Sequence, residues 1–351
     1  MPSPVSNSRN ATADLLKGTA CLCMIQVHLV ELFVEKDFAA TGLGRFCMFL
    51  GGPPAAPVFL AMMGYFIASF SKSAGQRAWR GLQVLGIAFL LNLGLNAHLL
   101  IRIKRGEFQF LNPMHYVFGV DILWLAGFSL LLLALLLRVM RRPMHWWEAA
   151  ILTIIVAAAT PLINETMDKT SGVARYFAAC VGGTFSWSYF PLFPWFAWVS
   201  LGIVARRFIE EPGLAAVPVN GRWIAFVGCL GVTILGGSKT MAITNNLPEY
   251  YHHDLRFVIW TTTFLLVWTV GHHWIVGRLG DTRPLQFIRW LGRNITAVYV
   301  FQWLIIGNVA TAIYQTQSPA RLLPWFVGVA LLASLLTSGW NRFHDSRSHQ
   351  L

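Results

Sequence analysis

Ala13-Asp14-Leu15-Leu16-Lys17-Gly18-Thr19-Ala20-Cys21-Leu22-Cys23-Met24-Ile25-Gln26-Val27-His28-Leu29-Val30-Glu31-Leu32-Phe33-Val34 is the stretch that decides the fold. It is long and apolar enough to span a bilayer as a helix. Its ionisable residues do not scatter: Asp14, Lys17, His28 and Glu31, with Cys21 and Met24 between them, recur every three or four positions. On an α-helix that spacing makes one stripe. Charged and titratable groups are costly within a membrane and usually face a bundle interior or a wet cavity. The segment therefore reads as a spanning helix that lines a site, with an acid and a base at its start and an imidazole–carboxylate pair near its end.

The rest of the chain extends this reading. Of 351 residues, 56% are hydrophobic and only 12% charged, about half the charged share of an average soluble domain. Further apolar runs give spans at roughly 46–70, 79–100, 117–138, 147–164, 189–207, 222–241, 256–276, 286–309 and 321–339. The expected fold is all-α, a polytopic membrane bundle of about ten helices. Residues 13–340 form one transmembrane domain, with short tails at 1–12 and 341–351. Residues 1–12 lack a signal-peptide pattern, so the first span is read as retained.

The net charge of +12 would suggest nucleic acid in a soluble protein. Here the basic residues sit in short clusters between apolar runs, as topology signals do, and nucleic-acid binding gets little weight. The clusters Lys72/Arg77/Arg80, Arg138/Arg141/Arg142 and Arg278/Arg283/Arg289 fall in alternate loops. This bias puts both termini in the cytoplasm, Asp14 and Lys17 at the inner end of the first span, and His28 and Glu31 toward the outer face. From Lys17 to His28 the helical rise covers about 16 Å. The five cysteines suggest neither a disulfide framework nor a metal site. Walker A, Rossmann, His-Glu-x-x-His and Gly-x-Ser-x-Gly motifs are absent.

His28 is the leading catalytic candidate, because a neutral imidazole can take a proton from an attacking hydroxyl or amine near neutral pH. Glu31, one turn later, could orient the ring and stabilise its cation. Asp121, with His115 just before it, is either a third member of that site or a helix cap beside a loop histidine. Asp14 and Lys17 suit an anion entering from the cytoplasm, or a helix dipole and a snorkelling lysine. Lys72, Arg77 and Arg80 could hold phosphates or serve as topology anchors. Asn92, with Asn96 on the same helical face, reads as interhelical glue or as a group that positions an acceptor. Tyr250-Tyr251-His252-His253-Asp254 is a polar aromatic loop on the outer side, open to an acceptor or to the interfacial belt.

These pieces resemble a known family. Asp14-Leu15-Leu16-Lys17-Gly18 followed by a polar His28 is similar to the first-helix signature of transmembrane acyltransferases, the heparan-α-glucosaminide N-acetyltransferase-like proteins and their type 3 acyltransferase relatives. Pro57-Val58-Phe59-Leu60 with Met63-Gly64-Tyr65-Phe66, Arg80-Gly81-Leu82 with Leu91-Asn92, and Val120-Asp121-Ile122-Leu123 with Gly127 resemble the next three helices. Phe190-Pro191-Leu192-Phe193-Pro194-Trp195 resembles the sixth, and Leu291-Gly292-Arg293-Asn294 with Tyr299 the ninth. The resemblance implies an enzyme of about ten helices that takes an acyl group, usually acetyl, from cytoplasmic acyl-CoA. It passes the group to an acceptor, often a sugar, at the outer face. On that scheme Lys17, Asp14, Lys72, Arg77 and Arg80 face the donor. His28, Glu31 and Asp121 do the chemistry, Asn92, His115, Trp195 and Gln302 face the acceptor, and no metal takes part. Relatives often have a histidine where this chain has Gln302, so a second base on that helix is in doubt. A bacterial cytoplasmic (inner) membrane is the expected location, and oligomeric state is not legible. The alternative is a proton-coupled transporter using the same stripe as a relay, against which no duplicated halves are visible.

Overall fold

The computed structural model describes residues 10–211 and 213–348. Arg9 and the rest of residues 1–9, and residues 349–351, lie outside them. Among the described residues the protein is helical without strands. In chain order the helices are α1 (Ala11–Leu32), α2 (Gly42–Gly51), α3 (Ala56–Ser69), α4 (Ala74–Leu95), α5 (Ala97–Lys104), α6 (Pro113–Val117), α7 (Ile122–Met140), α8 (Trp146–Asp168) and α9 (Ala174–Val181). They continue with α10 (Leu192–Glu210), α11 (Gly213–Ala216), α12 (Val219–Thr244), α13 (Leu247–Tyr251), α14 (Leu255–Leu279), α15 (Arg283–Arg293), α16 (Ile295–Ile313) and α17 (Leu322–Ser348). The last of these runs on through most of the stretch expected as a tail.

Among the described residues, nine helical segments are long and apolar enough to cross a membrane, so this is an integral membrane protein. The remaining expected span, 256–276, is present as the 25-residue α14. Its threonines and the His272–His273 pair make it less apolar than the rest. Outward faces are apolar, as lipid contact requires: Ile151, Ile154 and Leu162 of α8, and Ile224, Ile234 and Leu235 of α12, are exposed.

Two expected spans are divided. The run 46–70 becomes α2 and α3, parted at Gly52, whose φ/ψ of −83/−111 leave the helical region, ahead of Pro53-Pro54. Proline at these positions supplies no N–H to a continuing helix. The break is buried, the only setting in which irregular backbone is tolerated at membrane depth. The run 286–309 is parted at Asn294, whose side chain donates to Trp290 O (2.9 Å) and accepts from Asn341 Nδ2 (2.7 Å).

Helix α1 sits centrally, against α2, α3, α14, α15, α16 and α17. Its contact with α15 is backbone to backbone. A Cβ on Gly18 would overlap the Ile288 carbonyl oxygen, and one on Gly292 would overlap that of Asp14. The glycines of the Asp14-x-x-Lys17-Gly18 and Leu291-Gly292 signatures are thus what lets these helices touch. Elsewhere α10 packs on α3 and α8, and α4 on α7.

Candidate active site

The stripe on α1 is real but divided. At one end Lys17 Nζ pairs with Asp14 Oδ1 at 2.9 Å and stands 4.8 Å from the Phe66 ring. Asn10 caps this end, accepting from Ala13 N at 3.0 Å. In the middle, Cys21 is fully buried in an apolar cluster with Leu291, Val298 and Ile306, and Met24 is buried in the main core. The expected uninterrupted polar seam is therefore closed at this level by side-chain packing.

At the other end, His28 lies 4.0 Å from the Trp303 ring, centroid to centroid. Its Nδ1 is buried without a hydrogen-bond partner. Gln302, the neighbour of Trp303, is fully buried with both amide atoms unpartnered, and so are the amide atoms of Gln26. Buried polar atoms are nearly always satisfied, so each of these groups has unused capacity to bond a water or a ligand. No hydrogen bond joins Glu31 to His28; the ring is held by Trp303 instead. The Glu31 carboxylate faces a set of tyrosines. Burial pushes the Tyr189 phenol up to about 12, helped by Tyr116, Glu31 and Tyr314. Tyr250 and Tyr251 are raised by burial first and then by Glu31.

Asp121 is the helix cap, and its second oxygen meets a tyrosine. Its Oδ1 accepts from Leu123 N (3.0 Å) and Trp124 N (3.1 Å), capping α7. Its Oδ2 accepts from Tyr299 Oη at 3.5 Å. Tyr299 stands one turn before Trp303 on α16, so that helix links the aspartate to the histidine. His28 and Asp121 thus border one region without touching.

The other expected site residues fall elsewhere. Asn92 donates to Val117 O (3.1 Å) and Gly119 O (2.7 Å), tying α4 to the loop before Asp121. Trp195 is fully buried and donates to Tyr251 O at 2.7 Å, so it supports the tyrosine loop from behind. His115 stacks on Trp187 at 3.9 Å, away from His28. Lys72 and Arg80 are exposed. Arg77 holds the α3–α4 turn, donating to Lys72 O, Ile67 O and Phe70 O at 3.2–3.3 Å. With Arg142 and Arg207 it lines a narrow cavity of about 40 Å³ at the Lys17 end.

A second cavity of about 450 Å³ opens between α1, α12, α14 and α15, lined by Leu15, Thr19, Phe264, Trp268, His272 and Ile288. His272, whose adjacency to His273 argues against a metal pair on a helix, donates from Nδ1 to Trp268 O (2.8 Å), and its Nε2 meets the Thr19 hydroxyl at 3.2 Å. The space lies on the Lys17 half of α1 and its lining is almost wholly apolar. Among the described residues no cluster of histidine, cysteine and carboxylate side chains could hold a metal ion.

The cluster at the Glu31 end also holds Tyr189, Tyr250, Tyr251, Tyr299 and Trp303. The Tyr250-Tyr251 doublet was the available signal. Comparison with family models gives a match to the model described as heparan-alpha-glucosaminide N-acetyltransferase, catalytic, over residues 9–236. That stretch is well over half of the chain and contains Lys17, His28, Glu31, Arg77 and Asp121. Tyr250, Tyr299, Gln302 and Trp303 lie beyond it. Comparisons with curated proteins and with solved structures give no match.

Proposed function

Because the chain belongs to the heparan-α-glucosaminide N-acetyltransferase catalytic family, we propose that it transfers an acyl group, in the first instance acetyl, from cytoplasmic acyl-CoA to a hydroxyl or amine of a carbohydrate acceptor across a bacterial cytoplasmic membrane. The observation that carries the reading is the pairing of two chemically different ends on one helix. Lys17 marks a basic end that Arg77 shares. His28, packed against Trp303 with an unpartnered nitrogen, marks a titratable end that Glu31 and Asp121 share. The helical rise between Lys17 and His28, about 16 Å, is comparable to an extended pantetheine arm.

In this reading Lys17 and the arginines hold the donor phosphates by charge-assisted hydrogen bonds. His28 takes the proton of the acceptor O–H or N–H as the oxygen or nitrogen bonds to the acyl carbon. The carbon–sulfur bond breaks, and the imidazolium returns its proton to the departing thiolate, so that no proton is left over. Glu31 and Asp121 favour the transient imidazolium by charge. The tyrosines and Trp303 offer the flat faces and hydroxyls that suit a sugar ring. Cys21 and Met24 part for the donor arm to reach His28. A positioned base of this kind contributes about 10²–10⁴-fold.

Purified protein in nanodiscs, supplied with labelled acetyl-CoA and amino sugars, is the test. His28→Ala should reduce labelled product at least about 100-fold while leaving thermal unfolding unchanged. Turnover equal to wild type would remove His28 from the chemistry.

A further inference from the structure

On the same end of the bundle as Glu31, beside Asp121, the structure gathers a cationic aromatic cluster that the proposed reaction does not use. The Arg175 guanidinium lies 5.1 Å from the Trp187 ring and 5.3 Å from that of Tyr176. Its Nη2 donates to Tyr176 Oη at 3.4 Å. Its Nε is buried with no acceptor, and among the described residues no carboxylate stands within ion-pair distance of it. Trp187 is 7% exposed, and its Nε1 also lacks a partner. Trp124, packed against the same cluster, carries a second unpartnered indole N–H.

His115 stacks on the other side of Trp187 at 3.9 Å and 17°. Asn112 Oδ1 accepts from Met114 N, so its amide nitrogen donates to His115 Nε2 (3.3 Å) and the imidazole proton sits on Nδ1. Burial, and then the charge of Arg175, lower the His115 pKa, so the ring is neutral at pH 7 and Arg175 is the cluster's cation. Asp168, at the end of α8, accepts from Thr184 N and Oγ1. Every unsatisfied group named here is an N–H donor. A site made of donors around an unpaired arginine lacks one thing, an acceptor-only group with negative charge.

The cluster is joined to the candidate active site by backbone. Val120, next to Asp121, donates to Trp187 O at 2.8 Å and accepts from Tyr189 N at 3.0 Å. Tyr189 is one of the tyrosines that feel Glu31. A ligand lying along this strand-like segment would reach from the Glu31 region to Arg175. We propose that Arg175, with Trp187, Tyr176 and His115, forms a subsite for an oxyanion carried by the acceptor: a carboxylate, sulfate or phosphate. The guanidinium takes the charge, and the unpartnered N–H groups beside it donate to the oxyanion. The proposal rests on the acyltransferase reading for the word acceptor, but the binding it describes needs neither donor nor turnover.

The experiment is equilibrium binding by calorimetry to the full chain in phosphatidylcholine nanodiscs. The probes are glucuronate, glucose 6-phosphate and glucose, with no acyl-CoA present. Wild type should bind both acidic sugars at least 10-fold more tightly than glucose. Arg175→Gln should erase that preference while unfolding at the wild-type temperature, and Arg175→Lys should retain part of it. Equal binding of acidic and neutral sugars, or a preference that survives Arg175→Gln, overturns the proposal. A preference abolished when phosphatidylglycerol replaces part of the phosphatidylcholine overturns it too, because Arg175 would then be a lipid-headgroup contact. A transfer assay that fails while this binding pattern holds would count against the acyltransferase reading alone.

Discussion

At the scale of single residues, the site depends on side chains whose partners the sequence could not name. His28 and Glu31 were legible from their spacing on α1, because a 3.6-residue period can be read from one helix alone. Their partners come from α16 and the loops around α13, and contacts between distant segments leave no periodic trace. The expectation that Glu31 orients His28 meets no hydrogen bond between them. Trp303 fills that place at 4.0 Å. Replacing Trp303→Ala should therefore cost activity through loss of ring placement, lowering kcat with little change in the KM for acetyl-CoA. The unfolding temperature should stay at the wild-type value; a raised KM with kcat unchanged would contradict this role.

The loop histidine His253 carries a pH prediction. It is 2% exposed, packed against Trp195, Tyr250 and Phe257. Burial, the largest influence, lowers its pKa to about 4, against the opposing effect of its bond to Tyr250 O. The unfolded chain returns it to near 6.5. Between those values the unfolded state binds the proton and the folded state does not, so stability falls as pH drops. His253's contribution is complete above about pH 6.5 and is lost as pH falls toward about 4. The unfolding temperature should decline over this window in wild type, and His253→Gln should decline less. An identical slope in both would contradict this assignment.

At the scale of elements, the helices were largely legible and their interruptions less so. Apolar runs of bilayer length fix where a span lies, but they do not report a break within it. The Gly51-Gly52-Pro53-Pro54 run was written in the sequence, yet its effect depends on the buried surroundings that tolerate irregular backbone there. A Cβ on Gly51 would overlap the Val27 side chain, which is the residue before His28. The family signatures proved legible for a different reason than chemistry alone. Gly18 and Gly292 are required by the contact of α1 with α15. Gly18→Val should separate the two helices and destabilise the protein by about 1–3 kcal/mol, the usual cost of overpacking. Thermal unfolding in detergent would show it, and an unchanged midpoint would refute the close contact.

At the scale of the whole molecule, one helix in the middle of the bundle connects a basic end to a titratable one. The stripe that suggested this is closed midway by Cys21 and Met24. Packing at those two positions could not be read from a helical wheel, because a cysteine and a methionine suit a polar lining and an apolar core equally well. The apolar cavity of about 450 Å³ along the Lys17 half of α1 was likewise invisible, since four helices contribute to it. The account predicts that donor and acceptor meet the protein from opposite sides.

Sealed, uniformly oriented proteoliposomes give the direct measurement. Labelled acetyl-CoA is supplied on the Lys17 side, and an amino-sugar acceptor is confined to the Glu31 side. Label should appear on the confined acceptor with wild type and be lost with His28→Ala. Label that appears only when both substrates share one side, or that is undiminished in His28→Ala, would contradict the account.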